Sequence, residues 1–593
     1  MTSVVVGDDA PSPLARHGDW IVALVAALAF ANSLANEFTY DDLGVIDRNA
    51  LVHDVSGAWR AFAHTYWPEE TRAGQYRPLV VATYAIDWAL SGGRAWWFHL
   101  VNVLWHAAAS VLAWRLLRHL LPLLAALGAA LLFALHPLHV EAVANVVGRA
   151  ELMMASFAIG AVLLHRRASA WAIVAFVLAM LSKENGIVVP GLVVAYDLLL
   201  PDGADGRAPI RARRRLYLPY AAAAVAYLAL LLTMFRGEHF VVPAPTWHGA
   251  TTADRLLTMA TVVPEWVRLL VAPFALSIDY TPGVIPLATA VSPSVLVGLA
   301  IVAIALAVTI AAWRRAPVVA FGVVWFVVAV SPVANVLFPS GIVLAERTLY
   351  LPSVAAAVLL GAAGAHLAAR GLGRAAAVVA GVLCVAYAAR TVTRTPTWHD
   401  NKSLVLTVLE EHPESYRAHA FAASVHALRE DWASADRELA LARRIFQRDA
   451  WVYHSAAETR LHLGDLPGAR VLLDTAVRLL PDYTAAQLRL AEVRYRLGDF
   501  RGAADGALRV LALAPDTVRA AHVVAAAAQG LGDVQLAIRT YRRALDRAPR
   551  DADLHQGYAA ALEAAGDLAA ARLHADSSRV LRRAADPAAR GSR

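Results

Sequence analysis

Two adjacent carboxylates, Asp41 and Asp42, follow the first apolar stretch of the chain and open a polar loop. Four cations stand in later polar connections: Arg77, Arg149, Lys183 and Arg347. A carboxylate can take the proton from an attacking hydroxyl. Arginine and lysine bind phosphate oxygens, arginine through a planar fork and lysine as a point charge. An acid facing phosphate-binding cations at a bilayer surface is the equipment that sugar transfer from a lipid phosphate requires. His136, His139, Glu141, Glu346 and Tyr350 lie in the same connections and form the supporting polar set. The run His136-Pro137-Leu138-His139-Val140-Glu141 does not have the helical His-Glu-x-x-His spacing, and Pro137 interrupts the turn between the histidines. Contacts to a phosphate or to the first-loop acids fit it better than a metal site. Asp42 is the residue expected to hold a divalent cation if the chemistry uses one.

The elements that must position these residues are apolar helices. The chain has 593 residues, 58% of them apolar, only 17% charged, with a mean hydropathy of +0.49. An ordinary soluble domain carries about a quarter charged residues. A spanning helix needs ~20 apolar residues. Runs near 19–35, 97–118, 121–135, 150–165, 169–182, 185–200, 216–235, 292–313, 317–334, 348–369 and 374–393 predict about eleven spans. The stretch near 257–277 contains Pro264, Glu265, Arg268 and Pro273 and reads as an interfacial or re-entrant segment. Alternate connections are basic: Arg115 and Arg118, Arg166 and Arg167, Arg207 to Arg215, Arg314 and Arg315, Arg370 and Arg374. By the positive-inside rule these face the cytoplasm, with the N-terminus. The acids and everything after Arg394 then lie outside, in a multi-pass protein of the cell (inner) membrane. The +7 net charge is therefore a topology signal and not a nucleic-acid signal. The single cysteine, Cys384, excludes an intrachain disulfide.

From about residue 399 the sequence turns polar and periodic. Glu430-Asp431, Gly464-Asp465, Gly498-Asp499, Gly532-Asp533 and Gly566-Asp567 recur every 34 residues, as do Ala435, Ala469, Ala503, Ala537 and Ala571. Pro481, Pro515 and Pro549 keep the same period. A 34-residue period is the tetratricopeptide signature, a helix–turn–helix unit whose stacked copies form a groove that binds peptides or proteins.

Tyr40-Asp41-Asp42, Tyr76-Arg77-Pro78-Leu79, Phe98-His99-Leu100-Val101-Asn102-Val103, His136-Pro137-Leu138-His139-Val140-Glu141, Val147-Gly148-Arg149-Ala150-Glu151, Ser182-Lys183-Glu184-Asn185-Gly186 and Glu346-Arg347-Thr348-Leu349-Tyr350-Leu351-Pro352-Ser353 resemble the transmembrane and tetratricopeptide-repeat-containing (TMTC-like) O-mannosyltransferase family. The resemblance runs through both halves in the same order. Asn185 departs from the glutamine usual in that family. The resemblance implies an all-α protein, a membrane helix bundle of the GT-C glycosyltransferase type followed by a tetratricopeptide superhelix. It implies a polyprenyl-phosphate sugar as donor, mannose favoured, and an acceptor hydroxyl on a polypeptide or glycan. Asp41 matches the proposed base of related enzymes, Asp42 replaces a Glu, and Arg347 falls where the donor phosphate is expected.

The expected organisation is a tail over 1–18, a membrane transferase domain over 19–398, a linker helix over 399–412, repeats over 413–587 and a tail over 588–593. The alternative reading is a non-enzymatic membrane scaffold that recruits envelope proteins through the repeats.

Overall fold

The computed structural model describes residues 13–68, 75–200, 210–235, 243–515 and 517–585. Arg207, residues 1–12 and the tail over 588–593 lie outside the described residues. All regular elements among the described residues are helical, and the chain divides into two compact units, Met1–Ser415 and Tyr416–Arg593.

In the first unit, each of the eleven apolar runs contains a helix, from Pro13–Ala29 to Gly373–Arg394. Five helical segments are long and apolar enough to cross a membrane: Ala95–Leu120, Val146–Arg166, Leu216–Met234, Pro293–Arg315 and Ser353–Trp398. A sixth arises if Leu123–Ala134 and Pro137–Ala144, bent by 41°, count as one broken span. Trp171–Ser182, Val189–Leu199 and Pro317–Val330 have 12, 11 and 14 residues. At ~1.5 Å per residue they reach only about 16–21 Å, short of a ~30 Å hydrocarbon core. The long segment Ser353–Trp398 breaks at Gly371, where φ is +82° and ends the helix Ser353–Leu367 before Gly373–Arg394 begins. The stretch near 257–277 forms the helix Thr252–Val271, opened by a Thr251/Asp254 capping box. It packs closely on the helix Pro293–Arg315, where a Cβ on Gly298 would fall 1.8 Å from the Ala260 carbonyl oxygen.

Arg115 and Arg166, from two of the basic connections, lie by one end of the helix Ala95–Leu120: Arg115 pairs with Asp19 at 2.6 Å, and Arg166 contacts His119 at 3.0 Å. At the other end, Val45, Tyr66, Val80, Phe98 and Val146 form a buried cluster that fastens the first long loop onto the helix ends.

Among the described residues, the second unit is five helix pairs. Their first helices begin at Tyr416, Ala450, Thr484, Val518 and Ala552, one every 34 residues. Gly464, Gly498, Gly532 and Gly566 take φ between +79° and +85°. Asp465, Asp499 and Asp533 cap the second helix of each pair by accepting a backbone N–H. Ala435, Ala469, Ala503 and Ala537 are fully buried where the helices approach most closely.

Candidate functional site

The acid-bearing turn is built by the chain leaving the first helix. A 3-10 turn over Ala31–Ala35 leads to extended backbone, and Tyr40 then takes φ +55°. A non-glycine residue in the left-handed region is strained, and such strain gathers at functional sites. The turn is pinned from both sides of Phe38 and Thr39: Glu37 N donates to His399 O at 2.8 Å, and Tyr40 N donates to Asn401 Oδ1 at 2.9 Å.

Asp41 is half-buried, and Asp42 is enclosed. The Asp42 carboxylate accepts backbone N–H groups from Thr39 at 3.2 Å, Val147 at 2.8 Å and Val146 at 3.4 Å. Burial pushes its pKa up to about 7 against those three donors. This corrects the expectation of a second reacting acid or cation ligand. Both Asp42 oxygens are engaged in bracing the 146–147 turn, which Gly148 lets pack against the Ala142 backbone.

Arg347 opens the short turn Glu346–Leu349. Its backbone N donates to Glu141 Oε2 at 2.8 Å, and its guanidinium pairs with Glu141 Oε1. Burial opposes the charge on Arg347, but Glu141, then Asp41 and Tyr40, hold its pKa above the ordinary value. Asp41 and Arg347, 306 positions apart, therefore sit within electrostatic reach. The Arg347 side chain is 23% exposed, whereas Glu141 is 3% exposed.

Arg77 forks onto Glu184 with bonds of 3.0 and 2.7 Å and lies 4.9 Å over the Tyr66 ring. Burial works to raise the Glu184 carboxyl, yet the Arg77 charge and hydrogen bonds bring it down to about 2. Lys183 pairs with the buried Glu151. Burial pulls the Lys183 ammonium below its usual range, with Glu151 opposing and Arg77 adding to the pull. Glu151 also acts on Arg77 and Arg347, so these pairs form one field.

Other expected members stand apart. Arg149 is fully buried; it pairs with Asp87 and donates to Asn102 Oδ1 at 2.9 Å, Thr83 Oγ1 at 3.1 Å and Phe98 O at 3.0 Å. It also lies 4.7 Å over the Tyr84 ring. This corrects the phosphate-binding expectation, because its donors are committed inside the protein. Glu346 turns away from Arg347 and accepts from Ser277 N at 2.5 Å and Tyr280 OH at 2.8 Å. Burial, with the neighbouring Glu141 charge, raises its pKa to about 8 against Arg394. His136 spans Leu138 N and Leu270 O, His139 meets Ser353 Oγ at 2.9 Å, and Tyr350 OH meets His106 Nδ1 at 2.7 Å. Among the described residues, no three His, Cys, Asp or Glu side chains form a metal-holding group.

Three positioning residues escaped the sequence reading. Asn102 bridges the carbonyls of Val143, Asn145 and Val146, and Asn401 holds the Tyr40 turn. Glu151 carries the buried charge beside Lys183. Asn102 and Glu151 are marked only by standing inside the quoted motifs, and Asn401 only by lying on the expected linker helix.

No family model matches the chain. Curated proteins do. The human protein O-mannosyl-transferase TMTC4 is 30% identical over 465 residues, covering 67% of this chain and 62% of its own length. TMTC3 of Mus musculus is 28% identical over 439 residues, 66% of this chain and 47% of its own. The Caenorhabditis elegans protein O-mannosyl-transferase F38B6.6 is 25% identical over 421 residues, 67% and 58%. The chain is a relative of the TMTC protein O-mannosyltransferases. It spans less than two thirds of the length of these relatives. Among solved structures, MamA from Desulfovibrio magneticus RS-1 matches at 22% identity, with a TM-score of 0.28, over 29% of this chain and 97% of its own. YrrB, a tetratricopeptide-repeat protein, matches at 15% identity and a TM-score of 0.28, over 30% and 91%.

Proposed function

We propose that the chain is a membrane glycosyltransferase that moves a sugar, mannose favoured, from a polyprenyl phosphate to a hydroxyl of a polypeptide. The observation that carries this reading is the half-buried Asp41, whose charge acts on the partly exposed Arg347. Asp41 takes the proton of the acceptor hydroxyl as that oxygen bonds to the anomeric carbon. The bond from that carbon to the phosphate oxygen breaks, and polyprenyl phosphate leaves with the electron pair. Arg347 stabilises the charge that develops on the leaving phosphate. One displacement inverts the anomeric centre, by analogy with single-step glycoside chemistry. Arg77 and Lys183 supply positive field, while Asp42 and Arg149 position the loops. The reaction face is the outer leaflet of the inner membrane, with the N-terminus cytoplasmic and the repeats outside, holding a protein partner.

The test is transfer from polyprenyl-phosphate mannose to serine- and threonine-containing peptides by the full chain in lipid nanodiscs. Wild type transfers, and Asp41→Asn loses at least about a hundredfold, in line with the loss of a general base. Equal turnover by both forms overturns the assignment. The scaffold alternative instead expects function to survive Asp41→Asn and to fail with repeat substitutions.

A further inference from the structure

A cleft of 690 Å³ opens in the first unit away from Asp41, bounded by the helix Thr252–Val271, the loop after it, Arg390 and the end of the helix Asn401–Glu411. That volume is typical of ligand sites. Its walls combine apolar side chains such as Val284 and Leu287 with Ser294 and with charges of both signs. These charged side chains already have partners. Arg268 pairs with Glu265 at 2.7 Å and donates to Ala275 O, Arg390 donates to Phe274 O, and Glu411 pairs with Arg394. A phosphate entering here would meet the Glu265 and Glu411 carboxylates. A neutral stretch of polypeptide, with amides to bond and side chains to bury, suits the walls better.

Two links lead from this cleft to the acid. Tyr280 lines it and donates to Glu346, the residue before Arg347. The second link is the helix Asn401–Glu411. Its last residue lines the cleft, while Asn401 accepts the backbone N–H of Tyr40, next to Asp41. Its 11 residues, at ~1.5 Å each, span about 16 Å. An extended chain rises ~3.3 Å per residue, so about five residues cover that distance.

We propose that this cleft is the acceptor's docking subsite, seating polypeptide about five residues from the hydroxyl that Asp41 deprotonates, with the helix Asn401–Glu411 setting the spacing. The proposal rests on the sugar-transfer reading above.

The experiment uses the full chain in nanodiscs, polyprenyl-phosphate mannose, and synthetic peptides with one threonine and randomised flanks up to about eight residues long on one side or the other. KM falls about tenfold once the flank on one side passes about five residues. Ala290→Trp, at the exposed rim, returns long peptides to the KM of short ones. A KM indifferent to flank length, or a length profile unchanged in Ala290→Trp, overturns the subsite.

A second arm needs no transfer. A threonine peptide with a diazirine about five residues from the threonine is cross-linked to the Asp41→Asn chain and mapped by mass spectrometry. Labelling falls within 284–294; labelling confined to other segments overturns the proposal. Cross-linking in the cleft without transfer by wild type sinks the sugar-transfer reading, and the acceptor role with it, and leaves the cleft a polypeptide-binding site. Transfer without flank dependence sinks the cleft alone.

Discussion

The two units use charge in opposite ways. In the membrane unit, Arg149 and Asp87 meet at 0% and 7% exposure, enclosed by aromatic rings. In the repeat unit, Arg489 bridges Glu458 and Glu492 at 33%, 28% and 19% exposure, and Arg519 extends the ladder into water. Breaking a buried pair strands a charge in low dielectric, whereas an exposed pair contributes little because water and salt screen it. The membrane unit thus depends on a few irreplaceable polar contacts, and the repeat unit on many small repeated ones.

The largest effect expected from this contrast is at Arg149. Arg149→Ala leaves Asp87 buried without its ion pair and costs about 3–5 kcal/mol. The lone Cys384, half-buried in the membrane unit, reports that unit's melting through a thiol-reactive dye. The thermal midpoint should fall steeply; an unchanged midpoint breaks the comparison.

The next effect is pH dependence in the same assay. Asp42 is raised from 3.8 to about 7, and Glu346 from 4.5 to about 8. An acid with a raised folded pKa contributes stability in full below its unfolded pKa and loses it as pH rises through the folded one. Glu184, lowered to about 2, contributes in full above 4.5 and is silent at neutral pH. The midpoint should therefore fall as pH rises from about 6.5 to 8, above the range in which His136, which burial brings down to about 4, adds stability with rising pH. Glu346→Gln flattens the slope up to pH 8, and Asp42→Asn up to pH 7. A slope unchanged in both variants contradicts the assignment.

These two sites also show what the sequence could and could not say. Asp41, Arg77, Lys183 and Arg347 stand out by residue type and motif, and Asp41 and Glu151 link them electrostatically. Asp42 and Arg149 looked equally reactive, since residue type does not reveal burial, and three backbone donors or an enclosing ring of acceptors appear only once distant segments pack. The short helices Val189–Leu199 and Pro317–Val330 read as spans because apolar runs do not disclose whether lipid or protein covers them. The repeats were legible because Gly-Asp, Ala and Pro report one period independently, each fixed by local backbone geometry. The 690 Å³ cleft has no signature, since its walls come from segments about a hundred residues apart.

In the repeats, the effects are smaller. Gly498 sits at φ +81°, so Gly498→Ala should cost about 1 kcal/mol or more, read by denaturant melting of the helical signal. Glu430 holds the equivalent place at φ +59° with a side chain, so Glu430→Gly should stabilise by up to about 1 kcal/mol. Equal signs for the two would show that this turn does not set the repeat. Smallest of all, Arg489→Ala should cost about 1 kcal/mol or less and lose that cost in high salt. A loss as large as that at Arg149 would erase the contrast between the units.

The most direct measurement is a double-mutant cycle in sugar transfer with Asp41→Asn, Arg347→Gln and both together. If the acid and the cation serve one transition state, the double variant falls to within about tenfold of the worse single variant, because groups acting as a unit are strongly non-additive. Losses that multiply, or a single variant with wild-type turnover, would contradict a shared site.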